Sequence, residues 1–143
     1  MQMGKGYPYL SFRFLVEIQG LIVGGFSEVS GLQAETEVES IEEGGVNDYV
    51  HKFPKKTKYP NIILKKGMTD SDALWKWYKD VVDGKITRKS GYIILVDDEG
   101  KEKWRWNFIE AFPVKWTGPE LKADSNTVAF ESVEIAHNGI KKA

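Results

Sequence analysis

The sequence predicts a mainly β fold: a small β-barrel or sandwich with one packed α-helix at about residues 70–83 and a long protruding hairpin at about 34–58. Three observations carry that prediction. Apolar residues alternate with a period of two at Phe12, Phe14, Val16 and Ile18, as on a strand with one buried face. Glycine and turn clusters recur at short intervals between such runs. Only one segment shows helical spacing.

Taken in order, the first strand ends at Gly20, and 21–23 with 26–29 can pair back, the Gly24-Gly25 pair marking a bulge or bend. Residues 34–42 alternate again, with Glu35, Glu37 and Glu39 on one face and Thr36, Val38 and Ser40 on the other. Neither face is apolar enough for a core strand. After the turn signal at 43–48, Tyr49 to Lys58 reads as the returning arm of a polar hairpin. Such a ribbon is marginal alone and calls for a partner surface. Every charged residue from Glu28 to Asp48 is acidic, and every one from Lys52 to Lys66 is lysine. The two arms therefore either neutralise one another or set register between subunits.

Asn61 to Leu64 is a short apolar strand, followed by a capping-box-like Thr69-Asp70-Ser71-Asp72. The helix it opens carries Leu74, Trp77, Tyr78 and Val81 on one stripe, widened by Trp75 and Val82, and Gly84 stands at its C-terminal cap. Tyr92–Val96 and Trp104–Ile109 form a hairpin about the turn at 97–100, with Trp104, Trp106 and Phe108 on one face. Pro113 and Gly118-Pro119 read as breaks before a last strand at about 127–136. There Val128 and Phe130 share one parity and Val133 and Ile135 the other, which predicts a bulge or bend near Ser132.

At 143 residues the expectation is one domain spanning 1–143. A net charge of −1 gives no global attraction to nucleic acid or an anionic membrane. The absence of cysteine excludes disulfides and thiolate chemistry. The start of the chain lacks a secretory apolar stretch, so synthesis in the cytoplasm without a signal peptide is expected. His51 and His137 share no metal-binding spacing, Asp97-Asp98-Glu99 reads as a turn, and no phosphate-cradling glycine motif or catalytic triad emerges. The expectation is a non-enzymatic chain with no catalytic residues, cofactor or metal. Exposed rings beside lysines also occur in barrels that bind single-stranded nucleic acid, and Trp104, Trp106 and Trp116 are the rings to test for that role.

One set of blocks, in order, resembles a known family. They are Phe14-Leu15-Val16-Glu17-Ile18, Phe26-Ser27-Glu28-Val29-Ser30-Gly31-Leu32, Glu42-Glu43-Gly44-Gly45 with Asn47, and Lys58-Tyr59-Pro60-Asn61-Ile62-Ile63-Leu64-Lys65-Lys66-Gly67. Leu74-Trp75-Lys76-Trp77-Tyr78, Ala111-Phe112-Pro113-Val114-Lys115-Trp116-Thr117-Gly118-Pro119, Asn126-Thr127-Val128-Ala129-Phe130-Glu131 and His137-Asn138-Gly139 complete the set. Together they resemble, nearly end to end, the inner tail-tube proteins of contractile phage tails and extracellular contractile injection systems, related in fold to the type VI secretion tube protein. Two positions depart from the family pattern: Ile41-Glu42 stand where an aromatic and a basic residue are common, and Pro54-Lys55 where Pro-Gly is common.

The resemblance implies a structural subunit of a rigid inner tube that self-assembles into stacked hexameric rings, its lumen conducting cargo or DNA. It implies sheath, baseplate and tape-measure proteins as partners, and a place in a phage tail or injection particle. A tube-initiating subunit at the baseplate is the alternative within the family; a single-stranded nucleic-acid-binding barrel is the alternative outside it. The expected self-assembly surface comprises Glu35, Glu37, Glu39, Glu42, Glu43, Gly44, Gly45, Asn47, Lys55, Lys56, Lys58 and Tyr59.

Overall fold

A computed structural model describes residues 13–19, 21–41, 50–124 and 128–143, and of 21–24 the backbone alone. Phe12, Gly20, the turn at 43–48, Asn126 and Thr127 lie outside the described residues. The described elements are β1 (Arg13–Ile18), β2 (Leu21–Phe26), β3 (Glu28–Ser30), β4 (Glu35–Ile41), β5 (His51–Lys58), β6 (Ile62–Gly67), α1 (Ala73–Val82), β7 (Lys89–Val96), β8 (Glu102–Thr117), β9 (Phe130–Ala136) and β10 (Ile140–Lys142).

Eight strands make one antiparallel sheet in the order β2-β1-β7-β8-β9-β6-β3, with β10 beside the first half of β8. The remaining two, β4 and β5, ladder only with each other. Barrel and sandwich were both open from the sequence, and the sheet is not closed by a ladder between its ends. Those ends are nevertheless successive pieces of chain: β2 pairs with β1, β3 pairs with β6, and Ser27 alone separates them. Ser27 donates from its backbone N–H (2.9 Å) and its hydroxyl (3.1 Å) to the Lys65 carbonyl, so the chain changes partner at that residue. A strand that switches partners at a bend is how a sandwich turns its corner.

The interior is filled from alternate positions. Val16 and Ile18 of β1, Ile62 and Leu64 of β6, Ile93 of β7, Phe108 and Ala111 of β8, and Val133 and Ile135 of β9 all lie in it. Gly91 makes room for Phe108: a Cβ there would stand 2.3 Å from the Glu17 carbonyl oxygen and 2.6 Å from the Phe108 ring. The helix covers the sheet through Leu74 and Trp77, packing on β8 and β2. Ten residues are too few to hold a helix alone, so burial of that stripe maintains it.

Several local expectations change. The helix begins at Ala73, not Asp70, because the Asp72 side chain makes no capping bond and the Ser71 hydroxyl instead accepts from the Ala73 N–H at 3.4 Å. Its C-terminus is as expected: Gly84, at φ +84°, donates to the Val81 carbonyl (3.0 Å) and Lys85 donates to that of Asp80 (2.7 Å), a Schellman closure. Trp75 and Val82 do not widen the buried stripe; both are exposed, Trp75 meeting Trp116 edge to face at 4.9 Å.

Pro113 does not break the chain. It lies buried within the 16 residues of β8, next to a bulge between Pro113 and Lys115 where an absent N–H is tolerated. The parity switch predicted near Ser132 is absent too, for β9 pairs with β6 without a shift. The inward positions are Glu131, Val133 and Ile135, and the inward carboxylate is what disguised the parity. Glu131 forms an ion pair with Lys66, its direct cross-strand neighbour, whose Nζ stands 3.3 Å from Oε1 without a hydrogen bond to it, while Trp116 Nε1 donates to Oε2 at 3.1 Å. The turn at 97–100 behaves as read: Asp97 Oδ1 accepts from the backbone N–H groups of Glu99 and Lys101, and the Lys101 bond first of all holds its carboxyl below the ordinary aspartate range.

Candidate assembly interface

The β4–β5 hairpin is assembled from residues that have nothing to bury against each other. In β4 the described side chains are exposed except Glu37, and in β5 all are exposed except His51. Register places Glu35 opposite Lys58, Thr36 opposite Thr57, Val38 opposite Pro54, Glu39 opposite Phe53, Ser40 opposite Lys52 and Ile41 opposite His51. A shift between Thr36 and Val38 sets Lys55 and Lys56 together against Glu37.

Among the described residues, the charges cancel near the root of the hairpin. Glu37 pairs with Lys58, and that contact lowers the Glu37 pKa and raises that of Lys58 from their ordinary values. The Thr36 and Thr57 hydroxyls share a hydrogen bond of 3.0 Å beside it. Farther out Glu39 faces a phenyl ring, not a lysine. Exposed ion pairs of this kind are worth at most about 1 kcal/mol, so the ribbon is weakly held by its own contacts.

The outer half carries an apolar patch that charge-based reasoning missed. Val38, Ile41, Val50 and Phe53 are 55%, 44%, 42% and 47% exposed, and His51 stacks on Phe53 with ring centroids 6.3 Å apart. Val38 lies on the face with Pro54, Ile41 and Phe53 on the other, so both faces are sticky. The available signal was the presence of Val38, Ile41, Val50 and Phe53 in a segment with no core to fill. Of the twelve expected interface residues, Glu35, Glu37, Glu39, Lys55, Lys56 and Lys58 all lie on this ribbon. Tyr59 is half-buried at its root against His137, and Glu42, Glu43, Gly44, Gly45 and Asn47 lie outside the described residues.

The three tryptophans named as candidate stacking platforms are engaged within the body. Trp116 is tied to Glu131, Trp106 packs on the core, and Trp104 tilts against Trp106 beneath the Lys142 ammonium, 4.3 Å from its centroid. The three rings proposed as stacking platforms are all half-buried. Among the described residues no three His, Asp or Glu side chains converge on a metal position, and no helix is long and apolar enough to cross a membrane.

The fold has known counterparts. The sequence matches the family model of the T4-like virus tail tube protein gp19 over residues 10–141. The chain belongs to that family. It is a structural tube subunit, and its backbone is similar to a chain of the extracellular contractile injection system PVC sheath–tube complex in the extended state. That match has a TM-score of 0.85 and 26% identity, and covers 97% of this chain and 93% of that one. Similarity to a chain of the anti-feeding prophage tube terminating cap reaches a TM-score of 0.80 at 26% identity, over 100% of this chain and 97% of that one. Hcp1 of Flavobacterium johnsoniae shares the fold at a TM-score of 0.57 and 17% identity, covering 91% and 94% of the two chains. No curated protein sequence matches.

Proposed function

We propose that this tail tube protein acts as a single domain spanning 1–143, and that it forms hexameric rings that stack into a hollow tube, with the β4–β5 hairpin as a principal contact between copies. The observation that carries the reading is the hairpin itself: it ladders with no other strand of the described chain and exposes Val38, Ile41, Val50 and Phe53. A two-stranded ribbon is marginal in water, and a neighbour that covers it supplies what the chain does not. A subunit interface that does not close on itself propagates into a filament.

The role is mechanical and needs no catalysis. The same reading includes cargo in the lumen and sheath, baseplate and tape-measure proteins as partners, with the finished tube residing in a phage tail or injection particle; membership of the tail tube family and the likeness to sheath–tube and cap assemblies support it.

Negative-stain microscopy of the purified protein across a concentration series, with mass by light scattering, tests the reading. Six-fold rings or stacked tubes are expected. The double variant Val38→Asp/Phe53→Asp should remain monomeric, with an unchanged circular dichroism spectrum, because the substituted side chains touch no core. Uniform monomers of the parent at every concentration would leave the tube-initiating role, and assembly of the double variant like its parent would remove the hairpin from the interface.

A further inference from the structure

A weak ribbon can join copies only if something fixes the direction in which it leaves the body. The chain from β5 to β6 passes through Tyr59, Pro60 and Asn61; the segment between β9 and β10 holds the first two, and β9 itself holds the third. His137 Nε2 lies 2.9 Å from the Pro60 carbonyl oxygen, and its Nδ1 lies 3.1 Å from the Gly139 backbone nitrogen. A backbone N–H can only donate, so Nδ1 accepts, and the neutral ring carries its proton on Nε2 and donates it to Pro60. The Tyr59 ring leans on the imidazole at 5.9 Å between centroids and lies over Gly139, where a Cβ would be 3.5 Å away. Asn61 Nδ2 completes the hold by donating to Glu134 Oε2 at 2.9 Å.

The other end of the segment is anchored as firmly. Asn138 Nδ2 donates to Glu110 Oε2 at 2.8 Å, and the backbones of Asn138 and Gly139 pair with that of Ile109 at 2.8 and 3.0 Å. Glu110 has φ +50°, the one described non-glycine residue in left-handed conformation, and its N–H donates to the Ser90 hydroxyl at 3.1 Å. It sits at the bulge where β8 passes from β7 to β9. A strained residue of this kind persists where its surroundings over-determine it.

We infer that His137 is a positioning residue for assembly: with Tyr59 it latches the root of the β4–β5 hairpin to the 137–139 turn and thereby fixes the hairpin's direction. This rests on the hairpin being a contact between copies. Freed of the latch, the hairpin would spend only part of its time in the competent direction, and apparent affinity between copies falls by that fraction, about tenfold for a tenth of the population.

The chain has no cysteine, so spin labels at Lys52→Cys on the hairpin and Lys101→Cys on the body report the direction cleanly in the dilute protein. A narrow distance distribution is expected for the parent. His137→Phe keeps a ring and removes both hydrogen bonds, and should broaden the distribution with little change in melting temperature. His137→Gln, whose amide reaches the Pro60 carbonyl, should restore it. In unlabelled chains, His137→Phe should need about tenfold more protein to assemble. A narrow distribution for His137→Phe, or equal broadening for both variants, overturns the inference. Should His137→Phe lose much stability, Tyr59→Leu removes the hairpin side of the latch, and a narrow distribution there overturns it equally. Broadening without an assembly defect overturns the link to assembly. Failure of the parent to assemble would instead sink the proposed interface, while the distance measurement still tests the latch.

Discussion

Replacing Glu131 by glutamine keeps the side-chain shape and removes one charge from the interior. Glu131 and Lys66 have side chains 3% and 5% exposed, and no other charged residue is buried among those described. The parent pair is neutral as a unit, with the carboxylate also accepting from Trp116 Nε1. In Glu131→Gln the Lys66 ammonium loses its counter-charge without gaining water, and stranding one member of a buried pair costs about 3–5 kcal/mol. For a chain of this size each kcal/mol moves the midpoint by about 3 °C, so a fall of about 9–15 °C is expected. The assay is thermal unfolding by circular dichroism on dilute protein, since assembly would make the midpoint concentration-dependent. The double variant Lys66→Met/Glu131→Leu removes both charges and should recover most of the loss or exceed the parent, because apolar replacement of a buried pair is often neutral or stabilising. A single variant melting within about 3 °C of the parent would refute the reasoning, as would a double variant that simply adds the two single losses.

Two further outcomes follow from geometry. Gly91→Ala should destabilise by about 3 kcal/mol in the same unfolding assay, because the new Cβ meets the Glu17 carbonyl and the fully buried Phe108 ring, neither free to retreat. For the hairpin, the lowered pKa of Glu37 contributes stability that is complete above the ordinary glutamate value and lost as pH falls through the lowered one. The raised pKa of Lys58 contributes stability complete below the ordinary lysine value and lost as pH rises through the raised one. Amide protection in β4 and β5, taken relative to the intrinsic exchange rate at each pH, should therefore be greatest between those limits, and Glu37→Gln should flatten the dependence at both ends.

The sequence was most legible where parity and punctuation agreed. Trp104, Trp106 and Phe108 flanking an Asp-rich turn defined the β7–β8 hairpin, and Leu74, Trp77 and Gly84 defined the helix and its end. It was least legible where a polar residue took an inward place. Glu131 occupies a core position of β9, so hydrophobic parity placed the shift in the wrong strand. The bulge lies across the ladder in β8, where Pro113 is accommodated and not excluded. His137 gave no local sign of its role, because its partner is a carbonyl 77 positions earlier in the chain. The hairpin's charges were legible and its apolar residues were not, since scattered Ile41 and Phe53 come to share a face only once two arms are paired.

That pairing bears on how such a subunit balances stability against assembly. The body holds its strands by a shared interior, so a surface change there leaves the fold intact. The hairpin has no interior, and its internal ion pair is exposed on both sides. What defines it is the latch at its root and, under the proposed reading, the neighbour that covers its tip. Order in the ribbon and contact between copies then become one equilibrium. Covering Val38 and Phe53 stabilises the ribbon, and a ribbon already held at His137 loses less entropy when it is covered. Under that reading the latch sets the direction of the ribbon in the free subunit, and the copy that covers it adds the burial that the ribbon lacks.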